Sequence, residues 1–585
     1  MITAPWPLAL LLGLNAFSGN LLPAQQGEGK PGAGPAASHW TREEPAGRGM
    51  GPVTDELLAD SPTAAAWLHF GGNFAGWRHS PIEALDAESL SSLRLAWMLP
   101  TGVAIQLETS PVVYDGILYA TSSHNRLFAL DALSGELLWR YDHKNPGDLR
   151  ICCGPVNRGV AIAGDLVVMG TLDARLVALN RLNGEIAWNT EIAPYKSGFS
   201  VTAAPLVVKD VVVIGVGGGE FGVRGFFDGY DLATGKRRWR HYTVPAKGEP
   251  GSETWAGDSN QSGGAPTWVS GAYDVTTDTL FWATGNPGPD WNGDEREGDN
   301  LYSDSVIAVD PATGRRKWYF QFTPHDVWDY DGNSEMHLVD VEIDGEKVPA
   351  LAQANRNGFF YLLDRRDGRY LRASQYVEQL NWGKLDIRGR PIVDPAAMPA
   401  ENPEQRVCPG LAGGNNGAYS GAYNPDTGLV YVPVIESCMM FQKGMVFFAE
   451  GIPFMGGQPL PVDAVAGKAY GHLSAIDPST GEIRWRYRDP DPMVAGVLST
   501  AGGVVITGNM AGHILGFDAE TGEEVWRFNA GSTIRSHPIA YELDGRVFVA
   551  VGVGGGGVVE QLVGRPPILP DAGVLLVFEL PAKAQ

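Results

Sequence analysis

The chain has 585 residues, with 44 Lys and Arg against 67 Asp and Glu, a formal net charge of −23. Its 76 Gly and 41 Pro make up one fifth of the sequence, beside 17 Trp and only 19% charged residues. So long and aromatic a chain is not disordered, its glycines lack the every-third spacing of collagen, and its dispersed acidity leaves no basic face for nucleic acid.

The first apolar run, Pro7–Leu14, is too short to span a bilayer. It reads as the apolar region of a secretory signal in residues 1–25, with cleavage near Pro23-Ala24-Gln25, although no Lys or Arg precedes Lys30. Residues 26–60 are rich in Gly, Pro and Ala and read as a flexible linker. Residues 61–585 then carry the fold, and no later segment has the length and apolarity of a membrane span.

From Ala129 onward a unit recurs: apolar residue, Asp or Asn, a Thr/Ser-Gly turn, then Trp. The clean copies run from Asp131 to Trp139, Asn180 to Trp188, Asp231 to Trp239, Asp310 to Trp318, Asp477 to Trp485 and Asp518 to Trp526, always 8 residues. A degenerate copy sits at Leu363-Asp364 and Gly368. The acid bonds its own backbone in the turn and the Gly takes positive φ, so each copy predicts strand, turn, strand. Alternating apolar runs upstream, such as Val112–Tyr119 and Gly502–Gly508, supply further antiparallel strands. Four-stranded sheets repeated radially make a β-propeller. Seven copies are counted, and Leu93–Trp97 with Gly573–Leu580 predicts an eighth blade that closes the ring. The fold class is therefore all-β, an eight-bladed propeller whose tryptophans dock blade on blade.

Four cysteines, Cys152, Cys153, Cys408 and Cys438, allow three pairings. Buried free thiols are one reading, and export favours disulfides, Cys408–Cys438 among them. No Cys-x-x-Cys-His occurs, so no haem is attached in the c-type manner.

The Trp repeat resembles that of the eight-bladed quinoprotein alcohol dehydrogenases, which use pyrroloquinoline quinone (PQQ), over about Trp67 to Leu580. Further segments carry the likeness: Trp67–Gly72 with Ala75–Ser80, Cys152–Gly159, Gly218–Gly225, Ala283–Pro287 and Thr323–Asp331. The resemblance implies a vicinal Cys152–Cys153 disulfide pressed on the cofactor and Trp268 as its floor. It implies cofactor contacts at Glu108, Arg158, Thr171, Gly218, Gly219, Arg356 and Asn416. It places metal ligands at Glu220, Asn286, Asp329 and Asp331, oxygen donors suited to a hard cation. Asp329 matches the catalytic base, and Arg356 lies beside the reacting quinone oxygen, where it would stabilise developing charge.

Asp331 carries the metal choice. Calcium-using relatives have a small residue two positions after the base, whereas lanthanide-dependent ones have a second Asp, as here in Asp329-Tyr330-Asp331. In a strand, residues i and i+2 point the same way, so both carboxylates reach one ion. Three negative ligands suit a trivalent ion better than calcium. Pro266, the absence of Trp from Met493–Gly496 and the absence of Asn-Trp from Gly413–Gly417 depart from the family pattern on the substrate side.

The resemblance thus implies a periplasmic enzyme that oxidises a small alcohol to an aldehyde with PQQ and a lanthanide, passing electrons to a separate c-type cytochrome. A homodimer is one assembly it allows. A calcium-dependent alcohol or sugar dehydrogenase is the nearest rival, and a non-catalytic scaffold of the outer-membrane-assembly type shares the same repeat.

Overall fold

In the computed structural model, residues 38–41, 47–563 and 569–581 are described; the expected signal segment lies outside them. Eight four-stranded antiparallel sheets follow one another, two of them widened by an added strand. Blade 1 runs over Val112–Tyr114, Ile117–Ser122, Arg126–Asp131 and Leu137–Asp142, and blades 2 to 7 repeat that order along the chain. In blade 8 the strand Arg94–Pro100 pairs with Val574–Leu580, so the two ends of the chain close the ring as the sequence predicts.

The repeat works as a blade-to-blade latch. Each turn Gly takes positive φ, for example +74° at Gly135 and Gly184. A Cβ at Gly184 would meet the Trp139 ring at 2.7 Å, and one at Gly235 would meet Trp188 at 2.5 Å. The glycine of one blade therefore seats the tryptophan of the blade before it. The indole N–H then donates to the next blade's turn: Trp139 to Arg181 O at 3.0 Å, Trp188 to Leu232 O at 2.9 Å, Trp239 to Pro311 O at 3.0 Å. Gly135 packs on Trp97, so the glycine seat also joins blade 8 to blade 1, here without the indole hydrogen bond. At the degenerate copy the partner of Gly481 is Ser374, where no Trp is available.

The described residues of the 26–60 segment lie against the ring. Strand Ser38–Thr41 pairs with Leu137–Asp142, Val53 bridges Gly164, and Thr54 caps the helix Asp55–Asp60. Backbone pairing and a buried Val53 hold what composition alone marked as linker. No helix of the described residues is long and apolar enough to cross a membrane.

Candidate active site

Connections from around the ring converge on one cavity of about 330 Å³. Its lining comes from the segment before blade 1 (Glu108), the links between blades (Arg158, Thr202, Trp268, Asp329, Asn416, Arg535) and loops within blades 3, 4, 5, 6 and 8. This convergence places the cavity on the ring's axis.

The acid end is built from three loops. Gly218 takes φ +116°, and a Cβ there would strike Gly198 O at 2.4 Å. It leads into the single turn Gly219–Phe221, which carries Glu220. Asn286 follows the strand Thr279–Ala283. Its amide nitrogen donates to Asp290 Oδ1 at 3.0 Å, which leaves Asn286 Oδ1 as a free oxygen donor. Its backbone N–H donates to Asp331 Oδ1 at 2.9 Å. Gly285 makes that approach feasible, since a Cβ there would lie 2.3 Å from the same Asp331 oxygen.

The third loop corrects the expectation of a strand at 329–331. Asp329 and Asp331 lie in an irregular segment with φ +60° and +55°. The buried Asp326 carboxylate sets this shape by accepting from Trp328 N at 2.9 Å and Tyr330 N at 2.7 Å. Trp328 and Tyr330 anchor into the core through Ala397 O and Pro409 O. The alternate residues, Asp329 and Asp331, both reach the cavity. They share it by loop geometry rather than by strand alternation.

Arg356, in the turn after the strand Glu346–Ala354, faces these acids. Its Nη1 lies 3.5 Å from Asp329 Oδ1 and donates to Asp329 O at 2.7 Å, while Nη2 lies 3.0 Å from Asp331 Oδ2 and 3.5 Å from Asn416 Oδ1. Burial, reinforced by neighbouring acids, pushes Asp290 and Asp329 well above the usual carboxylate range and Glu220 up to about 7. Burial also raises Asp331, against the pull of Arg356. Asp290 Oδ2 and Arg356 Nε are buried without a partner. An acid-rich, under-neutralised oxygen set of this kind fits a multivalent hard cation. The carboxylate oxygens of Glu220, Asp329 and Asp331 converge on the cavity but do not all lie within 4.8 Å of one another. Among the described residues the triplet with donor atoms mutually within 4.8 Å is Cys152, Cys153 and Glu220.

The other cavity walls fit a flat, polyanionic ring. Cys152 and Cys153 are disulfide-bonded and line it, as does Trp268. The Arg158 guanidinium lies 5.0 Å from the Trp268 ring centre, donates to Thr202 Oγ1 at 2.8 Å and pairs with Glu108 Oε2 at 2.8 Å. Two expected contacts lie elsewhere. Thr171 is buried outside the cavity, where its hydroxyl donates to Asp173 Oδ1 at 2.6 Å, and Thr202 occupies the place beside Arg158. Gly219 packs against Pro266 behind the lining. Thr202, Asp290 and Arg535 are lining residues that sequence reasoning missed. Asp290, four residues after Asn286, was the one with a local signal. The second disulfide joins Cys408 and Cys438, and no cysteine is free.

A closed ring of eight blades, most of them joined by Trp latches, around an acid- and arginine-lined axial cavity defines the quinoprotein class of propellers. A family model described as "Glucose/ethanol/alcohol dehydrogenase, beta-propeller domain" matches residues 67–378. A second, described as "Outer membrane protein assembly factor BamB", matches residues 461–562, a stretch without the cavity acids. The chain is 38% identical to the quinoprotein alcohol dehydrogenase PedH of Pseudomonas putida over 91% of its length and 94% of the relative's. It is 35% identical to the lanthanide-dependent methanol dehydrogenase of Methylacidiphilum fumariolicum over 89% and 90% of the two chains. A solved europium-containing methanol dehydrogenase superposes with TM-score 0.84 at 32% identity, covering 90% of this chain and 100% of that one. The chain belongs to the PQQ-dependent alcohol dehydrogenase family and is an oxidoreductase acting on alcohols.

Proposed function

We propose that the protein oxidises an alcohol to an aldehyde in the periplasm with PQQ and a lanthanide ion. The carrying observation is the acid end of the cavity, where Asp331 joins Glu220 and Asp329 around one arginine. Glu220, Asn286, Asp329 and Asp331 would hold the ion, and Asp290 adds a fourth acid that orients Asn286. A trivalent ion would offset that charge better than a divalent one, and beside it the carboxyls of Glu220, Asp329 and Asp331 would be ionised.

When bound, PQQ supplies a two-electron acceptor that takes the hydrogen from the alcohol carbon. Asp329 takes the hydroxyl proton, since its carboxylate faces the cavity and Arg356 holds it from the side. Arg356 has an unspent Nε–H for an oxygen on which charge develops. Trp268 and the Cys152–Cys153 pair would hold the two flat faces, and Glu108, Arg158, Thr202 and Asn416 the polar edge. Two disulfides and no free cysteine support an oxidising compartment. Electrons would leave to a separate c-type cytochrome.

Reconstitution of apo-protein with PQQ plus calcium or a light lanthanide, followed by dye-linked alcohol oxidation, tests this reading. Lanthanide-supported activity should exceed calcium-supported activity by about tenfold or more, the consequence of ligand charge. Equal or better activity with calcium overturns the metal assignment. A scaffold role would show as no PQQ binding and no turnover with either metal.

A further inference from the structure

Arg535 lies on the connection between the strands Glu524–Asn529 and Ile539–Leu543. Its side chain is 2% exposed and lines the cavity. It is held on three sides. Nη2 sits 2.7 Å from Glu108 Oε1 and donates to Tyr419 Oη at 2.9 Å, and Nη1 sits 3.2 Å from Glu560 Oε2. Glu560 belongs to the short helix Val558–Leu562, and its other oxygen accepts from Gly556 N at 3.1 Å.

Glu108 is shared. One oxygen takes Arg535 and the other takes Arg158, so a single carboxylate sets two guanidiniums on one cavity wall. The Nε–H of both arginines is buried without an acceptor. Buried, paired charges earn little stability by themselves, and an unspent buried donor subtracts from it. The arrangement is better explained by a ligand that brings acceptors to both arginines. Such a ligand is flat, because Trp268 lies under Arg158, and it carries carboxylates, the natural partners of guanidinium.

We propose that Arg535 is a direct ligand of a cofactor carboxylate, the second guanidinium beside Arg158, positioned by Glu108, Glu560 and Tyr419. This rests on the PQQ reading above.

The test is calorimetric titration of apo-protein with PQQ and with its trimethyl ester, whose carboxylate charges are removed. Arg535→Met should weaken PQQ binding by about tenfold or more and leave ester binding within about twofold of wild type, because only a charge-assisted bond is lost. Arg535→Lys keeps the charge but not the planar fork and should fall between the two. Equal loss for acid and ester, or no loss for either, overturns the proposal and leaves Arg535 a structural residue. If Arg535→Met does not fold, Arg535→Lys decides: an acid-specific loss supports the proposal, and a loss shared by the ester overturns it. Wild-type protein that binds neither compound removes the PQQ reading and the proposal together, a pattern distinct from a variant-specific failure.

Discussion

Arg356 spans both acids of the 329–331 loop, with Nη1 3.5 Å from Asp329 Oδ1 and Nη2 3.0 Å from Asp331 Oδ2. Arg356 thus acts on Glu220, Asp329 and Asp331, while the buried Arg296 acts on Asp290, and each of these four carboxyls is raised by burial. On the reading proposed above a bound metal would correct the charge deficit, and Asp331 would set its size. Asp331→Ala should lower lanthanide-supported activity by about a hundredfold or more and weaken lanthanide binding, while calcium-supported activity is retained or improved. Calorimetry with each metal, beside steady-state rates, checks this. Wild-type lanthanide affinity in the variant would remove Asp331 from the ligand set.

Two threonines differ in where their hydroxyls are spent, one on the cavity wall and one inside a blade. Thr202 accepts from Arg158 Nη1 at 2.8 Å on the cavity wall. Thr171 ties Asp173 Oδ1 to Arg175 N inside blade 2, with contacts of 2.6 and 3.1 Å. Thr202→Val should weaken PQQ binding by about tenfold, the value of one hydrogen bond to a charged group, with a stability loss of about 1 kcal/mol from the Arg158 donor left unpaired. Thr171→Val should cost about 1–3 kcal/mol of stability through unmet buried polar groups and leave PQQ affinity unchanged. Paired denaturation and titration curves would show whether the roles are exchanged.

What was legible in the sequence follows from locality. The interval from Asp131 to Trp139, repeated six times, records one turn and one latch, so the blade count and the ring closure at Trp97 could be read directly. The shape of the 329–331 loop could not, because it depends on Asp326 turning its carboxylate onto two backbone N–H groups and on anchors as distant as Ala397 and Pro409. Asp331 nevertheless reaches the cavity, since either geometry sends alternate residues the same way. Thr202 and Arg535 reach the cavity only once the ring has closed, and no short motif marks them. Thr171 had the right residue type near the right place, but its hydroxyl is consumed locally by Asp173.

The latch also makes a stability prediction. Trp139 is fully buried, seated on Gly184 and bonded to Arg181 O at 3.0 Å, whereas Trp318 is only partly buried and its indole N–H has no partner. Trp139→Ala should cost about 3–5 kcal/mol through cavity and hydrogen-bond loss, and Trp318→Ala measurably less. Urea midpoints of the two variants, taken beside wild type, decide the order. Equal shifts would mean that indole bonding adds nothing to the packing.

His69 gives the pH prediction. Its ring packs 4.3 Å from that of Phe74, and Nε2 lies 2.7 Å from Leu58 O. Burial pushes its pKa from 6.5 down to about 4. The folded state therefore binds fewer protons than the unfolded chain between these values. The stabilising effect of a neutral His69 is fully present above pH 6.5 and is lost as the pH falls toward 4. That window is worth about 3 kcal/mol, from 1.36 kcal/mol per pKa unit. His69→Gln keeps a side-chain donor for Leu58 O but does not titrate. Unfolding free energies of wild type and variant, measured from pH 7.5 to 4.5, should converge on acidification as the wild type loses its advantage. Parallel curves would show that His69 is not held neutral by the fold.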